Sequence, residues 1–372
     1  MKKLIFIFGL WALACSEPQQ DLPKAQTEDR VQKPGEKTAS VDLEDITRDF
    51  RLLLDSLQVP GAQLAIVKNE KLVYLRSFGL ATLDGIPVAD NSLFRIADIS
   101  KALTLIALSR LVGQGHLKTD DAVFGDQGIL GNTYGTLPYS SEIRQITVNQ
   151  LITHTSGFTE SPKDILFENP KLSQKALIDA ILDNRSLAFA PGTDYAYSNF
   201  GYCLLGRIIE VVSGKPYEQF VFEEILAPMD IFDMQLSRDG LDEVVPNEVI
   251  YFTEAVLDYP LNVTRLDAAA GWLASAYHLA LLAAQTDGGG NFPDLLEPGE
   301  GLNYLNGGIW EISGALPGSI ALLRVSSGIS YALLINRANE NFEVVIERLT
   351  AFINEKTLNR TQWPPINYFQ KQ

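Results

Sequence analysis

Asp98 and Lys101 stand three residues apart at the opening of a run, 99 to 112, that is apolar nearly all round. At that spacing two side chains share one face of a helical turn, so the carboxylate and the ammonium can meet. An aspartate at a helix start is also favoured by the helix dipole, by about 0.3–1 kcal/mol, and can accept from first-turn N–H groups. A second group, Tyr197-Ser198-Asn199, brings a phenol, a hydroxyl and an amide together just before the apolar stretch Gly201 to Glu210. A third, Ile312-Ser313-Gly314-Ala315, lies in a segment that suits a pleated strand. The three histidines, His116, His154 and His278, are scattered and no carboxylates cluster at ligand spacing, so neither a metal site nor a cofactor is expected.

The elements that must position these groups follow from hydrophobic spacing. Leu43, Ile46, Phe50, Leu53, Leu54 and Leu57 fall on one face of a helix that stops at Val59-Pro60. Two β-rich runs, 61 to 67 and 72 to 78, are joined by Lys68-Asn69-Glu70-Lys71 as a hairpin. Residues 99 to 112 read as a helix buried on every side, ended by Gly113 and Gly115. The middle, about 117 to 300, is helix-rich with long loops. Leu322 to Val325 and Ile329 to Asn336 flank Ser326-Ser327-Gly328 as a second hairpin, and Phe342, Val345, Ile346, Leu349 and Phe352 mark a closing helix. Strands near both ends with helices between them predict one sheet assembled from both termini and a helical region inserted into it.

Taken in order, Phe94 to Lys101, Pro191 to Asn199 with its continuation to Glu210, and Trp310 to Gly318 resemble the three motifs of the serine β-lactamase and penicillin-binding-protein family, which includes class C β-lactamases, D,D-peptidases and esterases. The resemblance runs from about Pro60 to Asn336. It implies a mixed α/β fold of the β-lactamase/transpeptidase type, an antiparallel sheet flanked by helices with an inserted helical subdomain. It also implies that Asp98 occupies the place of the nucleophilic serine, that Lys101 is the lysine that would help deprotonate it, and that Tyr197 is the proton relay. Asn199 would hold a substrate amide. Ile312 stands where the family carries lysine or histidine, followed by Ser313, Gly314 and Ala315 on the strand facing the cleft. The backbone N–H groups of Asp98 and Ala315 would form the oxyanion hole. No serine in the chain has a lysine at +3, so no shifted copy of the first motif exists.

An Asp98–Lys101 pair would neutralise a lysine otherwise left without a partner. The expectation is therefore a member that has lost acyl-transfer chemistry and keeps its cleft for binding, of a cell-wall peptide, an acyl ester or another envelope protein. The alternative is an active hydrolase using another nucleophile, Ser100 or Ser198. His154-Thr155-Ser156-Gly157 matches a family segment expected to be structural and outside the cleft. Gly271 to Ala276 matches the turn before a later helix, where His278 replaces the usual aspartate and would cost some stability.

Before the folded region, Lys2 and Lys3 precede an apolar run, Leu4 to Ala14, too short to span a bilayer and suited to a signal peptide. Ala12-Leu13-Ala14-Cys15 resembles a bacterial lipobox, which implies lipidation of Cys15 and an exported protein held to a membrane facing the periplasm or cell exterior. Residues 15–41 are polar and read as a tether, 42–356 as the domain and 357–372 as a tail. If Cys15 is lipidated, Cys203 has no disulfide partner, and its apolar surroundings suit an inert thiol. The net charge of −16 repels nucleic acid, and 46% apolar with 20% charged residues is ordinary for a globular chain.

Overall fold

The computed structural model describes residues 42–161, 164, 171–238, 245–253, 262–288, 309–338 and 341–370. The leader, Cys15 and the tether lie outside the described residues. Helix α1 (Glu44–Ser56) carries Glu44 and Asp45 in its first turn, where the dipole favours acids. It buries Ile46, Phe50 and Leu54. Strands β1 (Gly61–Lys68) and β2 (Lys71–Gly79) pair antiparallel. Their turn is tighter than the four residues expected, because Asn69 and Glu70 both take positive φ, as a two-residue hairpin that follows the strand twist requires. After β3 (Phe94–Arg95) a single 3-10 turn, Ala97–Ile99, leads into α2 (Ser100–Gly113), buried on nearly every side as its composition predicts.

The inserted helical region follows with α3 (Val148–Ile152), α4 (Gln174–Asn184), α5 (Asn199–Ser213) and α6 (Tyr217–Val221). Strand β4 (Gln235–Leu236), the single turn α7 (Asp267–Ala270), β5 (Trp272–Ala274) and α8 (Ala276–Ala284) return the chain to the sheet. Strands β6 (Trp310–Leu316), β7 (Ser319–Val325) and β8 (Ile329–Ile335) precede α9 (Phe342–Thr357). The main sheet has the order β2-β1-β8-β7-β6, all antiparallel, so the chain's first and last strands pair in its middle.

Both faces of this sheet are covered, which is why β1, β7 and β8 read as unbroken apolar runs. On one face Leu64, Ile66, Ile320, Leu322, Leu333 and Ile335 pack with α1 and α9. On the other, Ala65, Val67, Ala321, Leu323, Ala332 and Leu334 meet the larger core that holds α2, α5 and α8. The segment beyond α9 also packs back on the domain: the Tyr368 N–H donates to Leu72 O (2.9 Å), the Leu72 N–H to Asn367 Oδ1 (3.1 Å), and Arg360 pairs with Asp45.

The helix cap after β5 corrects an expectation. His278 is no loss there: Ser275 Oγ accepts from the His278 N–H while His278 Nδ1 accepts from the Ser275 N–H, each at 3.2 Å, a reciprocal capping box. The other ring nitrogen, Nε2, reaches Asp233 at 2.9 Å.

Candidate functional site

The turn Ala97–Ile99 is held from three sides. Strand β3 pairs with β5, the Ile96 N–H donates to Trp272 O (3.0 Å), and the Trp272 N–H donates to Ser100 Oγ (3.2 Å). Ala97 takes φ +46°, a conformation that costs an alanine and persists only where its surroundings impose it. What imposes it includes β6: a Cβ on Gly314 would lie 2.5 Å from the Asp98 backbone nitrogen and 2.8 Å from Ala97 Cβ. Glycine is the residue that permits this approach.

Asp98, Lys101, Tyr197 and Asn199 converge. Lys101 Nζ donates to Asp98 Oδ1 at 2.6 Å, to Asn199 Oδ1 at 2.7 Å and to Ala269 O at 2.9 Å. An ammonium has three donors, and all three are engaged. The Tyr197 hydroxyl donates to the same Asp98 Oδ1 and also lies 3.2 Å from Asn199 Oδ1. The expected helix-cap role of Asp98 is not what the structure shows. No side-chain cap precedes α2, and the carboxylate bonds Lys101, Tyr197 and its own N–H instead. Burial opposes its ionisation, and the Lys101 charge with those hydrogen bonds outweighs burial, holding the carboxyl below its ordinary range. For Tyr197, burial and the adjacent Asp98 charge push the phenol far above its usual value, so it keeps its proton and is unsuited to act as a base.

Helix packing delivers these groups. α5 starts at Asn199 because Ser198 Oγ accepts from the Gly201 N–H as its cap. α7 brings the Ala269 carbonyl to Lys101, and is itself tied to α5 by Arg207 to Asp267 at 2.7 Å, both side chains buried. Behind Lys101, Thr104 Oγ1 bonds Ala268 O (2.7 Å) and the Tyr217 hydroxyl (2.8 Å), which accepts from Trp272 Nε1 (3.1 Å).

On β6, Ile312 and Gly314 share the face turned to Asp98, with Ile312 packed on the larger core. The side chains of Ser313 and Ala315 take the opposite pleat, Ser313 exposed and Ala315 against the second core. Their backbone is another matter. Pro317-Gly318, with Gly318 at φ +84°, is a two-residue turn pairing Leu316 with Ser319. Counting the antiparallel alternation from that turn sends the Ala315 N–H off the free edge of β6.

His154 was expected outside the cleft, and it is next to it. Its ring lies 4.7 Å from the Tyr197 ring, and Nδ1 accepts from the Ser198 N–H at 3.1 Å. Burial and the Lys101 charge lower its pKa to about 4, so it is a neutral buttress for the tyrosine loop. Ser156 is buried nearby and its Oγ meets the Phe158 N–H at 3.4 Å. Sequence reasoning missed Glu160 and Asp164. Glu160 Oε1 accepts from the Asn199 N–H, and Asp164 Oδ2 accepts from Asn199 Nδ2 at 2.7 Å, which fixes the amide with its oxygen toward Lys101. Burial and the neighbouring Asp164 push Glu160 up to about 9. Neither acid lies at a spacing from Asn199 that would link them along the chain.

Ser100 and Ser198 are both buried, the first accepting from the Trp272 N–H and the second capping α5. Cys203 is buried with its thiol on Arg265 O, and burial raises its pKa. Among the described residues no group of three or more His, Cys, Asp or Glu is arranged to hold a metal ion, and no helix is long and apolar enough to cross a membrane.

A buried lysine beside a turn, a tyrosine and asparagine at a helix start, and a glycine-bearing edge strand define the site of a β-lactamase/transpeptidase fold. The β-lactamase family model matches residues 46–353, and the chain belongs to that family. It is 29% identical over 198 residues to "Protein flp" of Staphylococcus aureus (strain MW2), covering 50% of this chain and 38% of that protein. It is 26% identical over 249 residues to a "Putative D-alanyl-D-alanine carboxypeptidase" of Escherichia coli O157:H7, covering 62% of this chain and 55% of that one. The chain thus spans about half or less of the length of these relatives. The fold matches the D-amino acid amidase of Ochrobactrum anthropi SV3 in complex with D-phenylalanine, at TM-score 0.64 and 20% identity over 85% of this chain and all (100%) of the other.

Proposed function

We propose that this β-lactamase-family chain is an exported, lipid-anchored protein that has given up acyl transfer and retains its cleft for binding a small ligand of cell-wall-peptide or acyl-ester type. The observation that carries the reading is the state of Lys101. Its three donors are engaged by Asp98, Asn199 and Ala269, so it is a neutralised structural cation and is unavailable as a base. Asp98 is a poor substitute nucleophile, since attack by a carboxylate on an acyl carbon gives a high-energy mixed anhydride. Ser100 and Ser198 are buried and bonded to backbone N–H groups, which argues against either as the replacement.

The test is turnover of nitrocefin and p-nitrophenyl esters, with intact-mass spectrometry after exposure to a β-lactam and a fluorophosphonate. Wild type gives neither turnover nor adduct. Asp98→Ser regains at most partial activity, because Ile312 still leaves the strand without its basic group, and adding Ile312→His raises it further. Loss of one nucleophile in another serine hydrolase costs about 10⁶ in kcat, so a restored one is readily detected. Wild-type turnover that survives Asp98→Asn and disappears with Ser100→Ala or Ser198→Ala would overturn the reading.

A further inference from the structure

We propose that the cleft selects its ligand through a cationic group, a primary ammonium or guanidinium that approaches Asp98, and discriminates against ligands that present a carboxylate. The inference rests on the binding reading above and names the ligand chemistry. The Asp98–Lys101 pair is neutral as a whole but polarised across the cleft wall. Lys101 is the deep member, 8% exposed at its side chain, and Asp98 the outer one at 25%. Every Lys101 donor points at protein acceptors, so none remains for a ligand's carboxylate. The protein side chains bonded to Asp98, Lys101 and Tyr197, both use Oδ1. Oδ2 has neither of these side-chain partners and is the carboxylate oxygen left for an approaching cation.

On β6, Ile312 occupies the position on the face turned to Asp98 and brings no charge to it. It offers an apolar surface for the carbon skeleton of a ligand. Behind Asn199 stands the Asp164 carboxyl group, and the net charge of −16 extends the same sign over the molecule. Such a field draws cations in and keeps carboxylates out.

Two probes separate the charges. Phenylalaninamide carries an ammonium and no carboxylate, and N-acetylphenylalanine carries the reverse. Both enantiomers of each are titrated against the full folded domain by NMR or calorimetry. The amide binds at least about tenfold tighter than the acid, a difference one close charge readily produces. Asp98→Asn abolishes that preference. Ile312→Lys, at a partly buried position on the edge strand β6, weakens the amide about tenfold and admits the acid. The proposal is overturned if the acid binds as well as the amide, if neither binds, or if Ile312→Lys leaves the preference unchanged. Release of ammonia from bound phenylalaninamide would instead overturn the loss of chemistry while leaving cation selection standing.

Discussion

Asp98→Ala tests whether the Asp98–Lys101 pair holds the site together. Removing one partner of a buried ion pair typically costs about 3–5 kcal/mol, because the other charge is stranded. Here the loss is smaller. Asp98 is 25% exposed, and Lys101 keeps two neutral acceptors, Asn199 Oδ1 and Ala269 O, at 2.7 and 2.9 Å. The expected cost is about 1–3 kcal/mol, or roughly 1.5–5 °C in Tm for a domain of this size. Urea and thermal unfolding of wild type, Asp98→Ala, Lys101→Met and the double variant complete a cycle. The double variant removes both charges together, so it is less destabilised than the two single changes summed, by about 1 kcal/mol or more.

The effect of pH has a definite sign. The folded carboxyl is held below its ordinary value, so its stabilisation is fully present above the unfolded pKa of about 3.9 and is lost as pH falls through the lower folded value. The gap between wild type and Asp98→Ala is therefore constant near neutrality and closes in acid. Unchanged unfolding of Asp98→Ala, or a strictly additive cycle, would refute the pairing argument.

Glu160→Gln should stabilise the protein at pH 8, by about 2 °C or more. The wild-type carboxyl, raised to about 9 in the fold, disfavours folding increasingly as pH rises from about 4.3 toward 9, and glutamine removes that slope while still accepting from Asn199; thermal melts across pH 5–9 that superimpose for the two proteins would contradict it. Cys15→Ser should shift the protein from the membrane to the soluble exported fraction, since each buried CH₂ of an acyl chain contributes about 0.8 kcal/mol of anchoring; a processed variant that remains with the membrane would rule out lipidation at Cys15.

Helices α1, α2 and α9 and the hairpin strands were legible because their apolar periods are local and strong. The turn between β1 and β2 was misjudged by two residues, since Lys68 and Lys71 look like loop residues yet form the last pair of the ladder. His278 was misread because its capping role depends on which ring nitrogen faces the Ser275 N–H, which residue type does not reveal. His154 was placed too far from the cleft for a related reason: it is 43 positions from Tyr197 in the chain and 4.7 Å away ring to ring. Glu160 and Asp164 left no sequence signal, because their effect on Asn199 arises from a loop folding over the start of α5.

Sequence alone determined the fold class, the order of the three motifs and the pairing of Asp98 with Lys101. The pairing follows from side-chain types at a fixed short spacing on one helical turn, while the fold class and motif order follow from the resemblance of the three segments to the family's motifs. Tertiary structure decided the chemical state of those groups. That Lys101 has no donor left depends on Asn199 from α5 and the Ala269 carbonyl from α7 meeting it 98 and 168 residues away. That Asp98 is ionised while Tyr197 holds its proton depends on a burial and a charge balance set by elements that become neighbours only when the helical insertion closes over the sheet.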